Sequence, residues 1–277
     1  MLKKLKALIN LFRPLNVFLT MLSVYLGAWI SGNLTEWEFV FSGMIIAGLT
    51  CGGANAFNDY YDIEIDKINK PDRPLSSGLI SRYWGLFFGI LFTLVSLYWS
   101  WLLDLNTFLF VFMVSVILWY YNWQGKKLVI LGNVLVALSS ALSFIFGGLL
   151  NGTISDSIVP AVFALLFHFS REIIKDIEDL NGDRKKGLSS IPLRYGIETS
   201  QMWITGAIFI LIGFTFYPYL FNNYHWAYMV TALIGVDIFL MYIIFSLWQD
   251  AGIENAGRLS ILLKWDMIIG ILALSLR

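Results

Sequence analysis

Nine apolar runs follow one another along the chain with little between them: roughly 16–30, 39–57, 83–103, 107–123, 128–150, 158–177, 202–220, 226–248 and 259–276. Most have the length a helix needs to cross a bilayer. The breaks carry turn chemistry, as at Ser31-Gly32-Asn33, Asn151-Gly152 and Asn222-Asn223. In hydrocarbon a backbone must satisfy its own polar groups, so such runs fold as helices. Only 14% of residues are charged and the mean hydropathy is +0.71, where a soluble domain carries about a quarter charged residues. The expectation is an all-α, multi-pass membrane protein of nine transmembrane helices.

The basic residues orient this bundle. With the N-terminus cytoplasmic, 18 of the 19 Lys and Arg residues fall at cytoplasmic ends or loops, and Arg277 alone lies outside. The opposite loops (31–37, 104–106, 151–156 and 219–225) hold none, as the positive-inside rule requires. An odd number of spans then places the C-terminus outside and the whole chain in the cell membrane. Residues 1–13 put Leu2, Leu5, Leu8, Ile9 and Phe12 on one helical face with Lys3, Lys4 and Lys6 off it, which reads as an interfacial amphipathic helix. No small-residue cleavage site follows, which argues against a signal peptide. The expected organisation is a single domain over 1–277, the bundle occupying 14–277. Trp and Tyr near span ends read mostly as interfacial belts. A net charge of zero gives no nucleic-acid signal, and the single Cys51, beside Gly52 and Gly53, reads as a packing residue.

One boundary departs from this pattern. Asn55 to Pro74 reads NAFNDYYDIEIDKINKPDRP, with Asp59, Asp62, Glu64, Asp66 and Asp72 at the end of an apolar run. On a helix Asn55, Asn58, Asp59, Asp62 and Asp66 recur at intervals of three and four, so their oxygens line one stripe. Stacked carboxylates near hydrocarbon repel one another and require cations. Hard oxygen donors favour Mg²⁺ or Ca²⁺ over zinc, and Mg²⁺ is commonly held by a few carboxylates plus substrate phosphates.

A solvated acidic loop would explain one such stretch. Two are present: adding 117 to Asp59, Asp62 and Asp66 gives Asp176, Asp179 and Asp183 in SREIIKDIEDLNGDRKKG, which reads as an internal repeat. Ten of the 19 acidic residues lie in these two stretches. Two stripes facing the same side can converge on one site, whose natural ligand is a diphosphate. Arg171 and Lys175 precede Asp179 on the same face, Lys70 and Arg73 follow the first motif, and Lys126 and Lys127 occupy a cytoplasmic loop; such cations clamp phosphate oxygens. For Lys126, Lys127, Lys185 and Lys186, simple topology anchoring is the alternative reading. A diphosphate at a membrane surface with an apolar cavity behind it suggests an isoprenyl chain, with π faces or carboxylates to stabilise an allylic cation.

NDYYDIEID, followed by INKPDRPLSSG, and the later REIIKDIEDLNGD resemble the two aspartate-rich motifs of the UbiA superfamily of intramembrane prenyltransferases. The likeness extends along the chain to Arg13-Pro14-Leu15-Asn16, to Tyr121 with Lys126-Lys127 before Gly132-Asn133, and to Ile191-Pro192-Leu193-Arg194 with Gly196. It implies nine helices around a central cavity open sideways to lipid, with both motifs holding Mg²⁺ and a prenyl diphosphate. Asn58, Asp62 and Asp66 match the first motif, and Asp176, Asp179 and Asp183 the second. Tyr121 and Lys126 match positions that resemble diphosphate or cation contacts. Ser76-Ser77 depart from the commoner RPLPSG form.

The expected metal set is therefore Asn58, Asp59, Asp62, Asp66, Asp176, Asp179 and Asp183. Asp62, Asp66, Asp179, Asp183 and Tyr121 are the expected catalytic groups. Asn16, Asn55, Arg73, Lys126, Lys127, Arg171 and Lys175 are the expected substrate contacts. The REIIKDIED and NKPDRP segments most resemble the archaeal-type ether-lipid branch. That likeness implies transfer of a geranylgeranyl group from its diphosphate to the hydroxyl of geranylgeranylglyceryl phosphate, a lipid acceptor. Prenyl transfer to an aromatic acceptor (4-hydroxybenzoate, quinone or chlorophyll-type) is the alternative, and a membrane transporter is the alternative outside enzymes.

Three further expectations concern single residues. His168 reads as structural before it reads as a base, and His225 has no assigned role. Asp237, Lys264 and Asp266 sit within spans, where a Lys264–Asp237 or Lys264–Asp266 contact would offset their cost. Gly43, Gly48, Gly52, Gly53, Gly147 and Gly148 read as sites of close helix packing.

Overall fold

A computed structural model describes residues 2–32, 34, 37–125, 128–187 and 189–277, and every regular element among them is helical. Helix α1 (Leu2–Leu11) meets α2 (Pro14–Ile30) at a bend of 40°. Pro14 has no N–H to continue α1, and Arg13 before it turns left-handed at φ 51°, ψ 71°. Helix α3 (Trp37–Asn69) has 33 residues, about 50 Å at 1.5 Å each. Hydrocarbon is about 30 Å thick, so the apolar half of α3 can fill it while Asp59–Asp66 project past one edge.

Helices α4 (Tyr83–Leu103) and α5 (Leu105–Trp123) form a hairpin. Asp104 caps α5, its carboxylate accepting from Asn106 N at 2.7 Å and Thr107 N at 3.1 Å. The chain continues through α6 (Val129–Leu150), α7 (Ile158–Glu178), the short α8 (Leu180–Lys186) and α9 (Ile191–Tyr195), and α10 (Ile197–Phe221). Then α11 (Trp226–Thr231), a π-helical stretch (Ala232–Asp237) and α12 (Ile238–Gln249) make one further crossing, and α13 (Ile253–Leu274) ends the fold.

The protein is a multi-pass membrane protein. Seven helical segments among the described residues are long and apolar enough to cross a bilayer, and α1 with α2 makes an eighth. The ninth expected span, α13, falls short of that criterion because Glu254, Arg258, Lys264 and Asp266 interrupt it. Outward positions such as Leu94, Val116, Ile210 and Phe245 are exposed and apolar, while Thr93, Ser96 and Ser100 of α4 turn inward and are buried. That inversion suits a lipid solvent.

The interior is closed by contacts in sequence around a ring: α2 packs on α3 and α6, α6 on α7, and α7 on α10 and α13. The tightest of these is α2 against α6. A Cβ on Gly27 would strike the Phe144 carbonyl, and one on Gly147 would strike the Val24 carbonyl. Backbones in van der Waals contact leave no room for any side chain there, as expected for Gly147.

Candidate functional site

Both acidic stretches reach one place. A polar pocket of about 130 Å³ is lined by Asn58, Asp62, Asp66, Lys70 and Arg73 from α3 and the loop after it, and by Glu172, Lys175, Asp176, Asp179 and Asp183 from α7–α8. Beside it lies an apolar cavity of about 320 Å³ between α2, α3, α5, α6, α7, α10 and α13. Arg13, Asn58, Tyr121, Glu172 and Lys175 line both spaces and mark their junction.

The two stretches are built differently. The first rides on the unbroken α3. The second is interrupted at Asp179 (φ −91°, ψ 4°), which ends α7 and precedes α8, so Asp176 and Asp183 belong to different helices. Asn69, the last residue of α3, stitches this break: its amide donates to Asp179 O at 3.0 Å and its carbonyl accepts from Gly182 N at 2.9 Å. A Cβ on Gly182 would displace the Asn69 side chain from these two bonds.

Each acid has a definite setting. Asp66 accepts from Arg73 Nη1 at 2.6 Å, and Lys70 Nζ lies 2.9 and 3.0 Å from the two oxygens of Asp179. Asn133 Nδ2 donates to Asp176 at 2.8 Å. Burial lowers the pKa of Arg73, but Asp59 and Asp66 outweigh it and hold the guanidinium above its ordinary value. Among the described residues no three His, Cys, Asp or Glu side chains are gathered as a ready-made metal site. The donor set around the pocket is nonetheless all oxygen, which fits a hard cation brought together with phosphate oxygens.

Four of the described expected residues are absent from the polar pocket's lining, and three of them, Asn16, Asn55 and Arg171, line the apolar cavity instead. Asp59 is buried behind the pocket, 2.5 Å from Arg13 Nη2 and 3.4 Å from Arg73 Nη1, so its charge is already spent on two guanidiniums. Asn55 donates its amide to Phe12 O at 3.1 Å and fastens the α1–α2 bend to α3. Lys126 and Lys127 lie outside the described residues.

The chain matches the UbiA prenyltransferase family over residues 20–265. It belongs to that family. A relative, digeranylgeranylglyceryl phosphate synthase of Methanothermobacter thermautotrophicus, is 35% identical over 269 residues, covering 96% of this chain and 93% of the relative. A solved structure from work on digeranylgeranylglyceryl phosphate synthase in membranes is 28% identical with a TM-score of 0.76, covering 98% of this chain and 97% of that one. A UbiA homologue from Archaeoglobus fulgidus, solved with GPP and Mg²⁺, shares the fold with a TM-score of 0.73 at 18% identity over 97% of this chain and 99% of its own. This UbiA protein is thus a membrane prenyltransferase.

Sequence reasoning missed several side chains at the junction of this UbiA site. Glu172 accepts from Lys175 at 2.9 Å and Arg171 at 3.3 Å. Arg13 bridges Asp59 and Asn58, and Asn58 donates to Asn122 at 3.0 Å. Arg13 carried a signal, a basic residue directly before Pro14; Asn122 carried none. The expected Lys264 pairings do not form among the described residues. Residues two apart on a helix point to different faces, and Asp237 accepts from Thr215 Oγ1 at 2.9 Å instead. Both oxygens of buried Asp266 lack a partner.

Proposed function

We propose that this prenyltransferase moves a geranylgeranyl group from its diphosphate to the free hydroxyl of geranylgeranylglyceryl phosphate, forming an ether-lipid precursor. The observation that carries the reading is the junction: a pocket lined by five aspartates and four cations lies beside an apolar cavity of about 320 Å³ and shares five lining residues with it. A prenyl diphosphate has those two halves. The named relatives act in ether-lipid synthesis by their names, which favours the glycerol phosphate over an aromatic acceptor.

In this reading Asn58, Asp62, Asp66, Asp176, Asp179 and Asp183 would hold Mg²⁺, the ion that accompanies GPP in the Archaeoglobus fulgidus homologue. Bound Mg²⁺ neutralises the charge that develops on departing diphosphate. Asp59 drops out of the expected metal set because Arg13 and Arg73 occupy it. Lys70, Arg73 and Lys175 exchange carboxylate partners for phosphate oxygens, and Lys126 and Lys127, by the sequence expectation alone, add to them. Tyr121, at the junction, offers its ring to the allylic carbon. The C1–O bond to the diphosphate breaks, the acceptor oxygen bonds C1, and the hydroxyl proton is released.

The same reading treats 1–277 as a single domain whose two acidic motifs belong to an internal repeat. Nine helices cross the membrane, α2 and α13 included, with α1 at the interface. Leu2, Leu5 and Ile9 of α1 are exposed while Ala7 and Leu11 are buried, which supports the interfacial placement. The motifs and N-terminus face the cytoplasm and the C-terminus lies outside. The test is an assay of purified protein with labelled geranylgeranyl diphosphate, Mg²⁺ and either geranylgeranylglyceryl phosphate or 4-hydroxybenzoate. Product with the glycerol phosphate alone is expected; product with the aromatic acid alone overturns the acceptor and leaves the diphosphate half standing.

A further inference from the structure

Four cations line the apolar cavity, Arg13, Arg171, Lys175 and Lys264; among the described residues Asp59 holds the first and Glu172 the next two, and no carboxylate bonds to Lys264. Glu172 pairs with Lys175 and with Arg171 Nη1. Arg171 Nε is buried without a hydrogen-bond partner. Lys264, on α13 against α7, lines the same cavity and makes no ion pair among the described residues. Of the other carboxylates nearby, Asp59 pairs with Arg13 and Arg73, Glu178 and Asp179 pair with Lys70, and Asp266, which lines the same cavity, makes no ion pair with Lys264 among the described residues. An unpaired lysine at membrane depth is costly and marks a ligand by default.

The position of these groups distinguishes them from the donor's pocket. Lys175 and Glu172 line both spaces, whereas Arg171 and Lys264 line only the apolar cavity. A phosphate met there arrives on a molecule that occupies the apolar side of the junction, while the acid-lined pocket takes the diphosphate. On the function proposed above, on which this inference rests, the second substrate brings a phosphate of its own, a few bonds from the reacting hydroxyl.

We infer that Arg171 and Lys264 form a phosphate subsite, separate from the diphosphate pocket, that holds the acceptor's phosphate and so aims its hydroxyl at the junction. Arg171 supplies a planar fork and Lys264 a point charge. An acceptor without phosphate leaves Lys264 with no counter-charge among the described residues, so the subsite also selects against neutral prenyl alcohols.

The test measures kcat and KM for geranylgeranylglyceryl phosphate and for geranylgeranylglycerol, which lacks the phosphate, with wild type, Lys264→Met and Lys264→Arg. In wild type, loss of the acceptor phosphate is expected to lower kcat/KM about 100-fold, the scale of charge-assisted hydrogen bonds. In Lys264→Met that penalty shrinks to about 10-fold or less, because the acceptor KM has already risen while the KM for geranylgeranyl diphosphate is unchanged. Lys264→Arg restores discrimination. The inference fails if Lys264→Met slows both acceptors equally, or if the donor KM rises instead, which would assign Lys264 to the diphosphate. Wild-type product with 4-hydroxybenzoate and none with either glycerol acceptor would instead sink the function on which the inference rests.

Discussion

The two acidic stretches share a spacing and differ in how the fold holds them. Asp59, Asp62 and Asp66 stand on one uninterrupted helix, whereas Asp176, Asp179 and Asp183 straddle a break that Asn69 ties to the end of that helix. Even the matched leading acids diverge: Asp59 is locked between two guanidiniums, and Asp176 accepts from one neutral amide while facing the pocket. Equal spacing thus produces one stretch whose rigidity is local and another whose shape depends on its neighbour.

The largest expected effect tests what the stretches have in common. Asp62→Asn or Asp179→Asn should each lower turnover roughly 10²–10³-fold, the scale of losing one preorganised charge contact at a reacting centre, with the melting temperature in detergent near wild type. Wild-type rates in both would remove these residues from the metal set.

The next breaks the symmetry between Asp59 and Asp176. Asp59→Asn leaves two guanidiniums facing a neutral group and should cost about 2–3 kcal/mol of stability. That is less than for a wholly buried pair, because Arg13 and Arg73 are 27% and 24% exposed. Asp176→Asn keeps an acceptor for Asn133 and should be nearly neutral in the same thermal melt while raising the Mg²⁺ needed for half-maximal rate. Equal destabilisation by both would erase the distinction.

Asn69→Ala isolates the dependence of the second stretch on the first. It should lower activity about 10-fold, as loss of a supporting contact does at metal sites, and the loss should be relieved at high Mg²⁺. Insensitivity to Mg²⁺ would mean that Asn69 holds the fold and not the site. The smallest effect is expected at Glu64, whose pair with Lys67 is more than half exposed. Glu64→Gln should change stability by about 0.5 kcal/mol or less, so a large loss there would give the outer face of α3 a role that its exposure does not suggest.

Much of this molecule was legible before its fold was known. Hydrocarbon leaves a spanning backbone few options, so unbroken apolar runs sufficed for an all-helical membrane protein. Carboxylates beside hydrocarbon are costly enough that two matched clusters signalled a shared site. Spacing within a helix is a local quantity, and the sequence carries it directly. Which acid meets an arginine is not local: Arg13, 46 positions away, reaches Asp59 through a left-handed turn before Pro14. The break at Asp179, the Asn69 stitch across 110 positions and the placement of Lys264 at the apolar cavity were likewise decided by how the helices pack. A chain specifies its own periodicity residue by residue, whereas ion pairing between helices depends on distances that exist only once the ring has closed.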